Sequence, residues 1–274
     1  MKADCHMHMV LDGVDWRASI GRGVDDGFIR NTLKTYQDLG YTYLRDGGDR
    51  FGVGKRARAL AAEYGITYRT PMSPLCKKGH YGGFIGTYWE DLSHYARLVQ
   101  QLRQDGADFI KIMISGLMDF SQYGVLTEDG LPPAQIKDLI HIAHEEGMAV
   151  MAHCNGAATA IAAAEAGVDS VEHGAYYNKE ALDALKETDT IWVPTVSTVG
   201  NLLGKGRFPD DQVAAILDSL LENIAAFRGI IAPGSDAGAW AVPHGCDTEE
   251  SWLRKAGITQ SRLDAGVQAV MDKF

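Results

Sequence analysis

The stretch MAHCNGAATAIAAAEAGVDSVEHGA, residues 151–175, reads as strand, turn, helix, turn and strand in a row. A short apolar run ending at His153 is followed by Asn155-Gly156, where extended chain gives way to a turn. Ala157–Ala166 is then seven-tenths alanine, the strongest helix former. Gly167 stands where a helix closes with a left-handed residue, and Ser170–Glu172 begins extended chain again. A strand, a helix and a second strand of this length make a parallel βαβ unit.

The same unit repeats outward in both directions. Strands are expected at Ala3–Val10, Tyr41–Arg45, Thr67–Met72, Phe109–Ile114, Ala149–His153, Ser170–Glu172, Ile191–Val196 and Ile230–Ser235, each rich in β-branched or aromatic residues. Helices are expected at Phe28–Leu39, Lys55–Tyr64, Trp89–Gln104, Pro133–Glu146, Ala157–Ala166, Lys179–Lys186 and Gln212–Phe227, with a last stretch, Glu249–Val270, broken at Gly257. Gly40, Gly65, Gly106 and Gly147 close helices as Gly167 does. Eight strand–helix units in 274 residues average about 34 each, a length typical of βα units. The expected fold class is therefore α/β, a (β/α)8 barrel, with residues 1–274 as a single domain and a doubly wound open sheet as the competing arrangement.

Lys and Arg number 26 against 36 Asp and Glu, a net charge of −10, which argues against nucleic acid or an anionic membrane surface as partner. With 46% hydrophobic and 23% charged residues the composition is that of an ordinary globule, and no apolar run approaches the roughly 20 residues a spanning helix needs. The opening MKADCHMHMVLDG carries no apolar signal-like run, and the four cysteines form no CxxC pair, so free thiols in the cytoplasm are expected. A small-molecule substrate is the expected partner, with a homo-oligomer left open.

The strand ends carry the chemistry. Strand one ends in His6 and His8, strand four carries Lys111, strand five ends at His153, and His173 and Asp236 follow strands six and eight. In a parallel barrel these ends share one face, where active sites are built. His6 and His8 are two apart on a strand and point to the same side, while Cys5 and Met7 point the other way into the core. Cys154 alternates away from His153 and packs likewise. Three roles fit Lys111 in GADFIKIMISG: a buried ion pair, a Schiff-base amine, or an amine carboxylated by CO₂ whose carbamate bridges two cations. A single His153 or His173 is commonly a hydrogen-bonded structural residue, and Asp236 commonly caps the next segment. Together with the His pair, they make a metal-competent set. His141, His144 and His94 fall on helix faces away from that rim.

These segments, DCHMHM, GADFIKIMISG, MAHCNGAATAIAAAEAGVDSVEHGA and PGSDAG, resemble the amidohydrolase superfamily of metal-dependent barrel hydrolases, in its imidazolonepropionase-like and prolidase-like branch. The resemblance spans nearly the whole chain. It implies that His6, His8 and Asp236 hold one divalent ion, that His153 and His173 hold a second, and that a carboxylated Lys111 bridges the two, with zinc as the expected metal. It further implies hydrolysis of a C–N bond in an amide, dipeptide or cyclic amide by a metal-activated hydroxide, with Asp236 as the catalytic proton acceptor. Relatives usually carry a β-sandwich from segments flanking the barrel, and this sequence, with its HxH at His6 and its end at Phe274, is expected to lack it. His80 and Tyr81 in SPLCKKGHYGG and His244 after the last strand are the candidates for touching substrate. A single-metal deaminase, a Schiff-base aldolase using Lys111 and a non-catalytic metal-binding barrel are the competing functions.

Overall fold

The computed structural model describes residues 2–274. The strands are β1 (Lys2–Met7), β2 (Tyr41–Asp46), β3 (Thr67–Arg69), β4 (Leu75–Lys77), β5 (Thr87–Trp89), β6 (Ile110–Met113), β7 (Val150–Cys154), β8 (Ser170–His173) and β9 (Ile191–Val193). The helices are α1 (Trp16–Arg22), α2 (Asp26–Asp38), α3 (Val53–Ala61), α4 (Leu92–Gln104), α5 (Pro133–Glu145), α6 (Ala157–Glu165), α7 (Lys179–Glu187), α8 (Ser197–Gly200), α9 (Asp210–Ala226), α10 (Thr248–Lys255) and α11 (Gln260–Lys273).

Every strand pairing is parallel, in the orders β1-β2-β3 and β5-β4-β6-β7-β8-β9. Two joints close these sheets into a ring. Between β3 and β6, the Asp108 amide donates to the Thr70 carbonyl (3.0 Å) and the Asp108 carboxylate accepts the Thr70 amide (2.9 Å). On the other side, residues 230–237 run between β9 and β1. The Trp192 amide donates to the Ile230 carbonyl (2.9 Å), and the Asp236 amide donates to the His6 carbonyl (2.7 Å). The eighth strand expected at Ile230–Ser235 is thus present as extended chain with single bridges, at Trp192–Ile231 and Met7–Ala237. Pro233 has no N–H to give and interrupts the ladder there. The fold is a (β/α)8 barrel.

Most expected elements fall within a few residues of their observed bounds, and Gly257 does separate α10 from α11. The chief difference follows β3. The segment 73–89, expected to be a loop running into a helix at Trp89, forms the parallel pair β4–β5. Trp89 is buried in β5, so α4 starts at Leu92, capped by Asp91, whose carboxylate accepts the His94 amide at 2.7 Å. The short helices α1 and α8 were also not expected.

Two apolar layers lie between strands and helices, and a third fills the lower half of the barrel interior. That floor contains Ala3, Cys5, Tyr43, Phe109, Met151, Val193, Ala232 and, from the end of α11, Val270 and Phe274. Cys5 therefore faces inward rather than away from the rim residues. The pairing of β1 shifts register between Asp4 and Met7, and this irregularity turns Cys5 and His6 to the same interior. Met7 does point outward, into the layer beneath α2.

Candidate metal centre

Above the floor the barrel interior turns polar at once. His6, Lys111 and His153 are 0–2% exposed, and His8, His173 and Asp236 are each 8% exposed. The Nε2 atoms of His6 and His8 lie 3.4 Å apart, and Asp236 Oδ1 is 3.5 Å from the first and 3.4 Å from the second. The His173 ring lies 5.1 Å from that of His6 and 4.5 Å from that of His153, centre to centre. His6, His173 and Asp236 each offer a donor atom within 4.8 Å of the others. His6, His8, His153, His173 and Asp236 therefore converge on one rim, and Lys111 is buried close enough to exert a charge interaction on each of them.

Their backbone is irregular where they meet. His173 and Asp236 have φ of 73° and 57°, left-handed values rare for residues with a side chain. For His173 this breaks the strand alternation, so that Glu172 and His173, adjacent in β8, both serve the same interior. Close approach is secured by two glycines. A Cβ on Gly47 would lie 2.1 Å from the His8 ring, and one on Gly234 would lie 2.8 Å from the His6 backbone.

Each of three imidazoles has one nitrogen engaged by the fold, leaving the other for the centre. His6 Nδ1 is 2.6 Å from Glu172 Oε2, His173 Nδ1 is 2.8 Å from Thr195 Oγ1, and His153 Nε2 is 3.1 Å from the Gly116 carbonyl. Burial depresses all four imidazoles, His8 and His153 to about 3 and His6 and His173 well below the ordinary value, so they are neutral and able to ligate. Burial also pushes Asp236 up and Lys111 down. The Lys111 Nζ is buried and makes no hydrogen bond among the described residues. An amine left so is costly unless it loses its charge or gains a partner.

The residues that orient this set were not singled out in the sequence. Glu172 sits one position before His173 in the 151–175 stretch and is fully buried; Arg45, at the end of β2, is fully buried against it at 2.9 Å. A buried carboxylate beside a histidine was the available signal. Arg45, 127 residues earlier in the chain, left none.

The three substrate candidates separate. The Tyr81 ring lies 4.7 Å from that of His153, at the edge of the centre. His80 is half-exposed, with Nδ1 3.3 Å from Glu128 Oε2, which also accepts the Tyr81 amide. His244 has both ring nitrogens engaged within the fold, by the Tyr36 hydroxyl (3.2 Å) and the Leu11 carbonyl (2.8 Å), and none remains for a ligand. A cavity of about 200 Å³ lies elsewhere, outside the barrel between β1 and α10. The buried carboxylates that border it, Asp4 and Glu249, are taken up by Ser235 and by Val196 and Ser197.

Comparison with known proteins gives a consistent picture. The sequence profile of the amidohydrolase family matches residues 35–239. Ochratoxinase of Aspergillus niger is 27% identical over 238 residues, covering 81% of this chain and 45% of that protein. The chain thus spans about half the length of the curated relatives it matches. Among solved structures, a Xaa-Pro dipeptidase with bound methionine superposes with a TM-score of 0.77 at 21% identity, covering 99% of this chain and 75% of that one. The structure of A. niger ochratoxinase superposes with a TM-score of 0.73 at 22% identity, over 98% and 68% of the respective chains. No helix among the described residues is long and apolar enough to cross a membrane.

Proposed function

Because the chain belongs to the amidohydrolase family, we propose that it hydrolyses a C–N bond of a small amide, with two divalent ions, zinc by preference, held by His6, His8, His153, His173, Asp236 and a carboxylated Lys111. The observation that carries this is the orphaned Lys111 Nζ, buried beside four buried imidazoles and one carboxylate. A carbamate on that nitrogen would make it an anionic oxygen ligand, and it would end the cost of burying an unpaired amine. Divalent ions held by these residues would supply Lewis-acid chemistry, polarising a substrate carbonyl and making a nearby water more acidic.

The chain's own residues supply the rest. Asp236 lies within 3.5 Å of His6 and His8 and is held with its carboxylate at the centre of the set. It takes the proton from the attacking water and returns it to the departing nitrogen. Tyr81, packed against His153, bounds the site on the side of the β4–β5 insertion. Dipeptides, N-acyl amino acids and cyclic amides are the substrate class we favour, which the resemblance to ochratoxinase supports at the level of family. Four unpaired thiols, three of them buried, suit the cytoplasm as the working compartment.

The test is a metal count on protein purified without chelator, joined to anomalous scattering at the zinc edge and a panel of small amides. Close to two ions per chain, extra density on Lys111 and turnover lost on chelation are expected. One ion with an unmodified lysine would favour a single-metal deaminase. No bound metal, with borohydride trapping of a carbonyl substrate on Lys111, would favour the aldolase.

A further inference from the structure

Beneath the rim lies a buried polar chain that none of the proposed ligands belongs to except at its upper end. Glu172 Oε2 is 2.6 Å from His6 Nδ1. Arg45 Nη2 donates to both Glu172 oxygens, at 2.9 and 3.1 Å, and Ser170 Oγ donates to Oε1 at 2.6 Å. Arg45 in turn donates through Nη1 to Ser170 Oγ (3.0 Å) and through Nε to the Cys5 carbonyl (2.6 Å). Arg45, Ser170, Glu172 and His6 are all 0% exposed. Below them the guanidinium lies 4.4 Å from the centre of the Phe274 ring, which packs edge-on against Phe109.

A buried Arg–Glu pair is poor evidence for stability, since packed apolar residues of the same volume serve as well or better. Its geometry is better explained by what it does to His6. A carboxylate that accepts Arg45 Nη2 on both oxygens and Ser170 Oγ on Oε1 has one acceptor direction left, on Oε2, and His6 Nδ1 occupies it. An unprotonated Nδ1 would set its lone pair against an anionic oxygen. A proton on Nδ1 leaves Nε2 as the lone-pair nitrogen, and Nε2 faces His8 and Asp236. The geometry points to Glu172 as a positioning residue that fixes the His6 tautomer and ring orientation, with Arg45 holding Glu172 from the barrel floor. This rests on the metal-dependent reading for its purpose, but the tautomer it sets is a property of the metal-free protein.

Two measurements separate these levels. Long-range ¹H–¹⁵N spectra of the metal-free, histidine-labelled protein, with His6 assigned from His6→Gln, should show the proton on Nδ1. In Glu172→Ala the Nε2-protonated form should become substantially populated, and in Glu172→Gln, whose amide oxygen can still accept, Nδ1–H should persist. A wild-type His6 protonated on Nε2, or a tautomer unchanged in Glu172→Ala, would overturn the inference. Cobalt(II) titration followed by visible absorbance is the second measurement. Affinity should fall about 10–100-fold in Glu172→Ala and recover in part in Glu172→Gln. Equal cobalt affinity in a folded Glu172→Ala would also overturn it. Should Glu172→Ala fail to fold because Arg45 is stranded, Arg45→Met with Glu172→Ala removes both charges, and the same loss of Nδ1–H is required of it. A protein that binds no cobalt even as wild type would defeat the proposed function while leaving the tautomer result to stand or fall alone.

Discussion

The upper and lower halves of one barrel interior are built on opposite terms. The floor, with Cys5, Phe109, Met151 and Val193 at 0% exposure, is apolar and keeps regular strand alternation in β6, β7 and β9. The rim, a few ångströms above, concentrates four imidazoles, a carboxylate and an unpaired amine, and has left-handed backbone at His173 and Asp236. The floor lowers free energy by burying apolar surface. The rim raises it, through desolvated polar groups and strained φ angles, and is held in place by the floor and by Arg45, Ser170, Glu172 and Thr195. Substitutions in the rim should therefore cost activity, and substitutions in the floor should cost stability.

The largest effect is expected at Lys111. Lys111→Met should reduce amide hydrolysis by at least about 10³-fold, the scale of losing transition-state charge stabilisation. It should also raise the melting temperature of the metal-free protein, because the buried unpartnered amine is gone. Lys111→Ala should regain part of its activity with added short-chain carboxylic acids. A loaded, folded variant that does not respond would deny Lys111 a bridging role.

Met151→Ala is the counterpart in the floor. Met151 is 0% exposed, and its truncation should cost about 2–5 kcal/mol in urea unfolding. Activity per folded molecule should stay near that of wild type. If hydrolysis fell as steeply as stability, the two layers would not be separable.

A third, smaller effect tests how the rim is framed. Glu249 of α10 accepts the amides of Val196 and Ser197 after β9, at 3.0 and 2.8 Å, and burial raises it to about 8 from an ordinary 4.5. Between those values the unfolded chain is ionised while the folded one keeps its proton. Stability from this group is thus full below about 4.5 and is lost as pH rises through about 8. Melting curves from pH 5 to pH 8 should show that loss in wild type, and Glu249→Gln should flatten it. An unchanged slope would show that Glu249 is ionised throughout.

The smallest effect belongs outside both layers. His144 on α5 meets Asp169 at 2.8 Å at the opposite end of the barrel, with its side chain 35% exposed. His144→Gln should change unfolding free energy by no more than about 1 kcal/mol and leave turnover untouched.

Much of this molecule was legible in one dimension. Short apolar runs alternating with amphipathic, helix-period ones gave the βα repeat, because a parallel strand buried on both faces demands a near-continuous apolar run. The strand ends gave His6, His8, Lys111, His153, His173 and Asp236 as a set, since a parallel barrel places all of those ends on one face. The β4–β5 pair was not legible, because three-residue strands in a glycine-rich loop carry too few side chains to show a period. Nor was the engagement of His244 by Tyr36 and Leu11, which come from distant parts of the chain.

By itself, then, the order of residues determined which chemical groups exist and at which end of each strand they lie. Only tertiary structure decided which of them face one another. Strand alternation would have parted Cys5 from His6 and Glu172 from His173, and the register shift in β1 and the left-handed turn at His173 cancel it at both places. Such departures cost backbone energy locally and persist because the closed ring of strands around them leaves the chain no cheaper course.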